Sequence, residues 1–143
     1  SDLHLVIVGR LTKYQKKLDA EIRRLGIGNR IHFLQGVPND LLAAIYNQAE
    51  AFIYPSRYEG FGIPIIEAIQ RGLPVVAATG SCLEEAGGPD CLYVGPDDVD
   101  GNAAAILSAI EHRQEMVVKS QHYVKRFENQ DVASQILEVY NKV

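Results

Sequence analysis

Apolar residues along this chain come in short blocks that switch between two periods. Residues 3–9, Leu3-His-Leu-Val-Ile-Val-Gly9, are nearly continuous in apolar side chains and stop at a glycine, the pattern of a central parallel strand covered on both faces. Residues 13–25 then set Leu18, Ile22 and Leu25 at helical spacing with charges between them, and Gly26 ends that helix. The same unit repeats. Residues 30–34 read as a second strand, followed by a turn at 35–38 and a helix from Asn39, an acceptable N-cap, to Ala49, with Leu41, Leu42, Ile45 and Ala49 apolar. Residues 51–54 form a third strand ended by Pro55. Pro64 suits the first position of the next helix, whose packing face is Ile65, Ile66, Ala68 and Ile69 and which stops near Gly72. Residues 73–78 make a fourth strand, 82–87 one helical turn and 91–94 a short fifth strand. Asp97 or Asp98 caps a helix to about His112 with Ala104, Ile106, Leu107 and Ile110 apolar, and 114–127 and 131–140 continue as packing helices.

Strands alternating with helices across short loops predict an α/β fold: a doubly wound, mostly parallel, Rossmann-like sheet of about five strands with helices on both faces, ending in C-terminal helices. At 143 residues the chain is expected to form a single domain, 1–143. In such sheets ligands bind beyond the carboxyl ends of the strands. The loops there are 9–10, 35–38, 55–62 and 79–81.

One of these loops carries the chemistry. Gly60 and Gly62 flank Phe61 just before the helix at 64, which leaves backbone without Cβ where a helix N-terminus aims unpaired N–H groups outward. Such a place suits an anion, because each hydrogen bond to a charged oxygen contributes roughly 1.5–3 kcal/mol and the helix dipole adds roughly 0.3–1 kcal/mol. Glu59 and Glu67 frame it, and an ionised carboxylate accepts hydrogen bonds only, which makes each a partner for hydroxyls. By itself the pattern is also that of an ordinary strand-to-helix turn.

The surrounding residues narrow this. Glu59-Gly-Phe-Gly-Ile-Pro-Ile-Ile-Glu67 stands between Tyr54-Pro-Ser-Arg-Tyr58 and Ala68-Ile-Gln-Arg-Gly-Leu-Pro-Val-Val-Ala77, and Leu92-Tyr-Val-Gly-Pro-Asp-Asp98 follows. From residue 3 to 140 the chain resembles the C-terminal, donor-binding half of the retaining, nucleotide-sugar-dependent glycosyltransferases of GT-B architecture, GT4-type (group 1). The resemblance implies a glycosyltransferase that binds a nucleotide-diphosphate sugar and passes the sugar to a hydroxyl acceptor. It also implies roles. Glu59 would be the catalytic carboxylate beside the donor sugar, and backbone N–H groups of Gly60, Phe61, Gly62 and Ile63 would meet the sugar or diphosphate. Glu67 would accept the ribose hydroxyls, and Val37 and Leu41 would line the base pocket. No metal and no cofactor beyond the donor substrate is implied. Two departures stand out. Many relatives have Leu-Pro-Glu where this chain has Leu83-Glu84-Glu85. Val8-Gly9-Arg10 fits the family's second strand, so the first strand, its basic loop and the N-terminal domain that binds the acceptor are expected to lie outside this chain, and the isolated chain is expected to be inactive. A non-catalytic nucleotide-sugar-binding module and a sugar-nucleotide epimerase of related fold remain the alternatives, and a glycosidase is set aside because a hydrolase has no phosphate to bind.

Composition removes other classes. A net charge of −4 argues against a nucleic-acid surface, which needs concentrated basic residues; Lys13, Lys16, Lys17, Arg23 and Arg24 cluster on a helix expected to be solvated. Cys82 and Cys91 suggest neither a disulfide framework nor a metal site, and lone His4 and His32 read as strand side chains rather than ligands. No apolar run approaches the roughly 18–20 residues that span a bilayer. The expected location is the cytoplasm, with peripheral docking at the inner membrane face left open.

Overall fold

The computed structural model describes residues 2–10, 12–56, 61–80 and 82–128. The expected helix at 131–140 lies outside the described residues, as do Glu59, Gly60 and Ser81. The chain divides into two compact units, Ser1–Ala44 and Ile45–Val143.

In the first unit β1 (Leu5–Val8) pairs in parallel with β2 (Ile31–Leu34), in a register running from Leu5 opposite Ile31 to Val8 opposite Leu34. Between them run α1 (Gln15–Leu25) and a 3₁₀ turn, Gly28–Arg30. Gly26 ends α1 as expected: at φ 68° it takes the left-handed conformation that costs glycine little, and its N–H returns to the carbonyls of Ile22 and Arg23. The five basic residues on and beside α1 are exposed. β1 corrects one expectation. Leu5, Val6 and Val8 are 45, 40 and 43 % exposed rather than covered on both faces. Among the described residues β1 is hydrogen-bonded along one edge only, to β2, and no residue of α1 is buried. An apolar run specifies a strand with two apolar faces but not what covers them. α2 (Asn39–Gln48) crosses the boundary between the units, and Asn39 lies inside it, with the Pro38 carbonyl accepting the Leu42 N–H at 2.9 Å in place of a side-chain cap.

In the second unit β3 (Phe52–Tyr54), β4 (Val75–Ala78) and β5 (Leu92–Val94) form a parallel sheet in the order β3-β4-β5, so their carboxyl ends share one edge. All four residues of β4 are buried, which for alternating side chains means that both faces of the central strand are covered. α3 (Ile63–Gln70) buries the predicted face of Ile65, Ile66, Ala68 and Ile69 and packs along β3 and β4. Each such side chain contributes roughly 1.5–3 kcal/mol by leaving water. Ile63 takes the first helical position and Pro64 the second, one place later than expected. α4 (Leu83–Gly87) follows β4. α5 (Val99–Glu111) is capped by Asp98, whose carboxylate accepts the Gly101 N–H at 2.9 Å. Its buried residues are Ala105 and Ala109, which join Val76 and Met116 in one cluster, whereas Leu107 is 60 % exposed. Small side chains let this helix approach the sheet closely. α6 (Arg113–Val124) continues into a 3₁₀ turn, Lys125–Phe127. It is tied back by Arg113, which donates to the carbonyls of Ala49 and Gly72 at 3.2 Å, and by Gln121, which donates to the Ile69 carbonyl at 3.1 Å.

Candidate functional site

Of the residues that sequence reasoning singled out, Phe61, Gly62 and Ile63 stand together where α3 begins and Glu67 lies further along the same helix. Gly62 caps α3 at φ 89° and ψ 38°, a left-handed conformation that disfavours any residue with a Cβ. Its carbonyl accepts the Ile65 N–H at 3.0 Å and opens the helix. A Cβ at this position would stand 3.0 Å from Leu83 Cδ2 and 3.2 Å from the Ala86 side chain, so the glycine also admits α4 to close packing. Among the described residues no carbonyl accepts the N–H of Gly62 or Ile63. The first turn of α3 carries no acidic side chain to compete for those donors. Phe61, Gly62 and Ile63 are therefore together at a helix start, and two adjacent backbone donors there can hold an anionic oxygen.

Glu67 lies in the second turn of α3, its side chain 42 % exposed, with Arg71 Nε at 3.7 Å from Oε1. Beneath this pair lies buried Tyr46, whose hydroxyl is held above its ordinary pKa first by burial and then by the Glu67 charge. The Arg71 guanidinium sits 6.0 Å from the Tyr46 ring centre. Val37 is half-buried and Leu41 is 49 % exposed, and both belong to the first unit. Glu59 and Gly60 lie outside the described residues.

Sequence reasoning missed the group that shapes the neighbouring turn. After β4, Thr79 is tied to β5 through its N–H on the Val94 carbonyl at 3.1 Å. Its hydroxyl and the Gly80 N–H both donate to the Glu84 carboxylate, which is thereby held below its ordinary range, the Thr79 bond being the larger cause. Glu84 is the residue read above as a departure from the Leu-Pro-Glu pattern that the resemblance implies. The departure was the available signal, and its meaning is a turn fixed by hydrogen bonds instead of a ring. Also unforeseen is a hydrogen bond of 2.9 Å between the exposed rings of His4, just before β1, and His32 in β2.

A cavity of about 240 Å³ between Asp90, Leu92, His112, Glu115 and Lys119 lies at the opposite, amino end of β5 and contains none of the sequence-predicted residues. Among the described residues no three His, Cys, Asp or Glu side chains gather into a metal-binding group, and no helix is long and apolar enough to cross a membrane. No disulfide joins Cys82 and Cys91.

With this geometry in view, the family model described as "Glycosyl transferases group 1" matches residues 1–138. The chain is 35 % identical over 113 residues to O-antigen chain mannosyltransferase B of Escherichia coli, covering 77 % of this chain and 30 % of the relative. It is 35 % identical over 150 residues to MMP alpha-(1->4)-mannosyltransferase of Mycolicibacterium hassiacum, covering 99 % and 36 %. Among solved structures it superposes on Anabaena Alr3699/HepE in complex with UDP-glucose with a TM-score of 0.78 and 25 % identity, over 98 % of this chain and 41 % of that one. The chain thus spans about a third of the length of these curated relatives.

Proposed function

This chain belongs to the group 1 glycosyl transferases, and from that premise we propose that it is the donor-binding half of a longer retaining enzyme that moves a sugar from a nucleoside diphosphate to a hydroxyl acceptor. The observation that carries the reading is the start of α3. Gly62 opens the helix in the left-handed conformation, and among the described residues no carbonyl accepts its N–H or that of Ile63, beside a turn fixed by Glu84.

These donors lie where a diphosphate gains charge as the glycosidic bond breaks. Fixed dipoles aimed at that charge lower the barrier more than they favour the ground state. Glu67 takes the ribose hydroxyls, Glu59 the donor sugar, and Gly60 and Phe61 extend the row of backbone donors. The acceptor is bound by a domain outside this chain, no metal is required, and the setting is cytoplasmic, with peripheral docking at the inner membrane face as the alternative. The UDP-glucose bound by Alr3699/HepE supports a nucleotide sugar as the donor class.

Calorimetric titration with UDP, GDP and ADP, each free and as its sugar conjugate, tests the reading. One nucleotide is expected to bind with an affinity unchanged by EDTA. Binding of none, by this chain or by the full-length protein, overturns it, and binding without transfer or donor hydrolysis by the full-length protein leaves a non-catalytic module.

A further inference from the structure

The Phe61 ring is held from far along the chain. It meets Phe127 edge to face, with ring centres 5.3 Å apart and planes at 83°, and Phe127 meets Tyr123 at 6.1 Å and 65°. Tyr123 is itself fixed on three sides. The Arg126 guanidinium lies 3.7 Å from the ring centre, and the hydroxyl donates to the Glu85 carbonyl at 2.6 Å. The ring also rests on Gly88, where a Cβ would stand 2.5 Å from it. The end of α6 therefore holds two structures at the carboxyl edge of the sheet: the residues that open α3, through Phe61, and α4, whose Glu84 fixes the Thr79–Gly80 turn.

In the sequence Phe61 stands between two glycines, which have no side chain by which a neighbour could fix them. Its ring is a side-chain handle beside Gly62, which is itself held by its carbonyl and by close packing against α4. An edge-to-face contact is directional, so it holds the ring in one place and limits where the Cα of Phe61 can stand.

We infer that Phe127 and Tyr123 are positioning residues that set the backbone of Phe61, Gly62 and Ile63 for the donor's anionic group. This rests on the function proposed above. The contact explains why a helix that touches no predicted donor atom matters to donor binding, since it limits where the backbone bearing those N–H groups can stand.

Hydrogen exchange and calorimetry on this chain test the inference, with UDP, GDP and ADP as probes. In Phe127→Leu, which keeps apolar volume but removes the ring, the amides of residues 61–66 are expected to exchange faster while those of α5 stay unchanged. Affinity for whichever nucleotide the wild type binds is expected to fall by about three- to tenfold, the value of an aromatic pair. Phe127→Tyr restores the ring and is expected to restore both. Tyr123→Phe deletes one hydroxyl and is expected to free the amides of α4; it carries the test if Phe127→Leu does not fold. A folded Phe127→Leu with wild-type exchange at 61–66 and wild-type affinity overturns the inference and leaves the donor reading intact. A wild type that binds none of the three nucleotides, with exchange at 61–66 still dependent on Phe127, overturns the donor reading and leaves a structural anchor.

Discussion

The carboxylate of Glu84 closes the turn after β4 by accepting the Thr79 hydroxyl at 2.8 Å and the Gly80 N–H at 3.1 Å on the same oxygen. Both bonds need the ionised form, which is why the folded pKa lies below the ordinary 4.5. For a carboxylate with a depressed folded pKa, the stabilisation is present above the unfolded value and is lost as pH falls through the folded one. The Gly80 amide is therefore expected to be ordered at neutral pH and to loosen as pH falls below 4.5. Its NMR shift should titrate with a midpoint under that value, and Glu84→Ala should abolish the titration and raise the exchange rate of that amide. An identical titration in the variant would remove Glu84 from the turn.

Glu67 is free enough to meet a ligand. Its contact with Arg71 is long, at 3.7 Å, and both side chains are more than a third exposed, so the pair itself is worth little to folding, about 0–1 kcal/mol. Glu67→Ala is expected to leave the melting temperature nearly unchanged while weakening nucleotide binding by about 1–3 kcal/mol, the value of hydrogen bonds to a charged group. Calorimetry against the preferred nucleotide separates the two effects. Unchanged affinity would take Glu67 out of the site.

Gly62→Ala brings together two costs. The φ of 89° disfavours any Cβ, and the added methyl would press on fully buried Leu83 at 3.0 Å. A destabilisation of about 1–3 kcal/mol is expected, from strained backbone and overpacking together. Thermal unfolding measures it directly. A melting temperature within error of wild type would mean that α4 can withdraw at no cost.

How far these features could be read in advance depends on how local their causes are. The face of α3, the Gly26 stop and the Asp98 cap follow from a few neighbouring residues, and all three formed as expected. β1 was misjudged because coverage of a strand is set by partners remote in the chain; its residues are apolar yet 40–45 % exposed. On α5 the apolar pattern pointed to Ala104, Ile106, Leu107 and Ile110; Ile106 does pack against the sheet cluster, but Leu107 is exposed and the buried positions are Ala105 and Ala109, whose small side chains allow close approach. The pairing of Phe61 with Phe127 leaves no trace in local spacing. Glu84 was noticed only as a missing proline, since nothing in a linear reading aims its carboxylate at Thr79.

Cys91 gives a prediction at the other end of the pH scale. It is 5 % exposed, its Sγ is 3.4 Å from the Gly87 carbonyl and 3.8 Å from Ser120 Oγ, and burial pushes its thiol from 9.0 up to about 11. Tyr93 beside it is raised as well, chiefly by burial and then by the Cys91 charge. The folded chain therefore retains a proton that the unfolded chain gives up. With the folded pKa above the unfolded one, the stabilisation is whole below pH 9 and is lost as pH rises towards 11. The loss is expected to reach on the order of 2–3 kcal/mol, a shift of one unit being worth about 1.4 kcal/mol. Urea unfolding of wild type and Cys91→Ala at pH 8 and at pH 10.5 measures it. The variant should be less stable at pH 8 because of the cavity, and the gap should narrow at pH 10.5. A gap that is constant across this range would mean that the thiol ionises without cost in the folded chain.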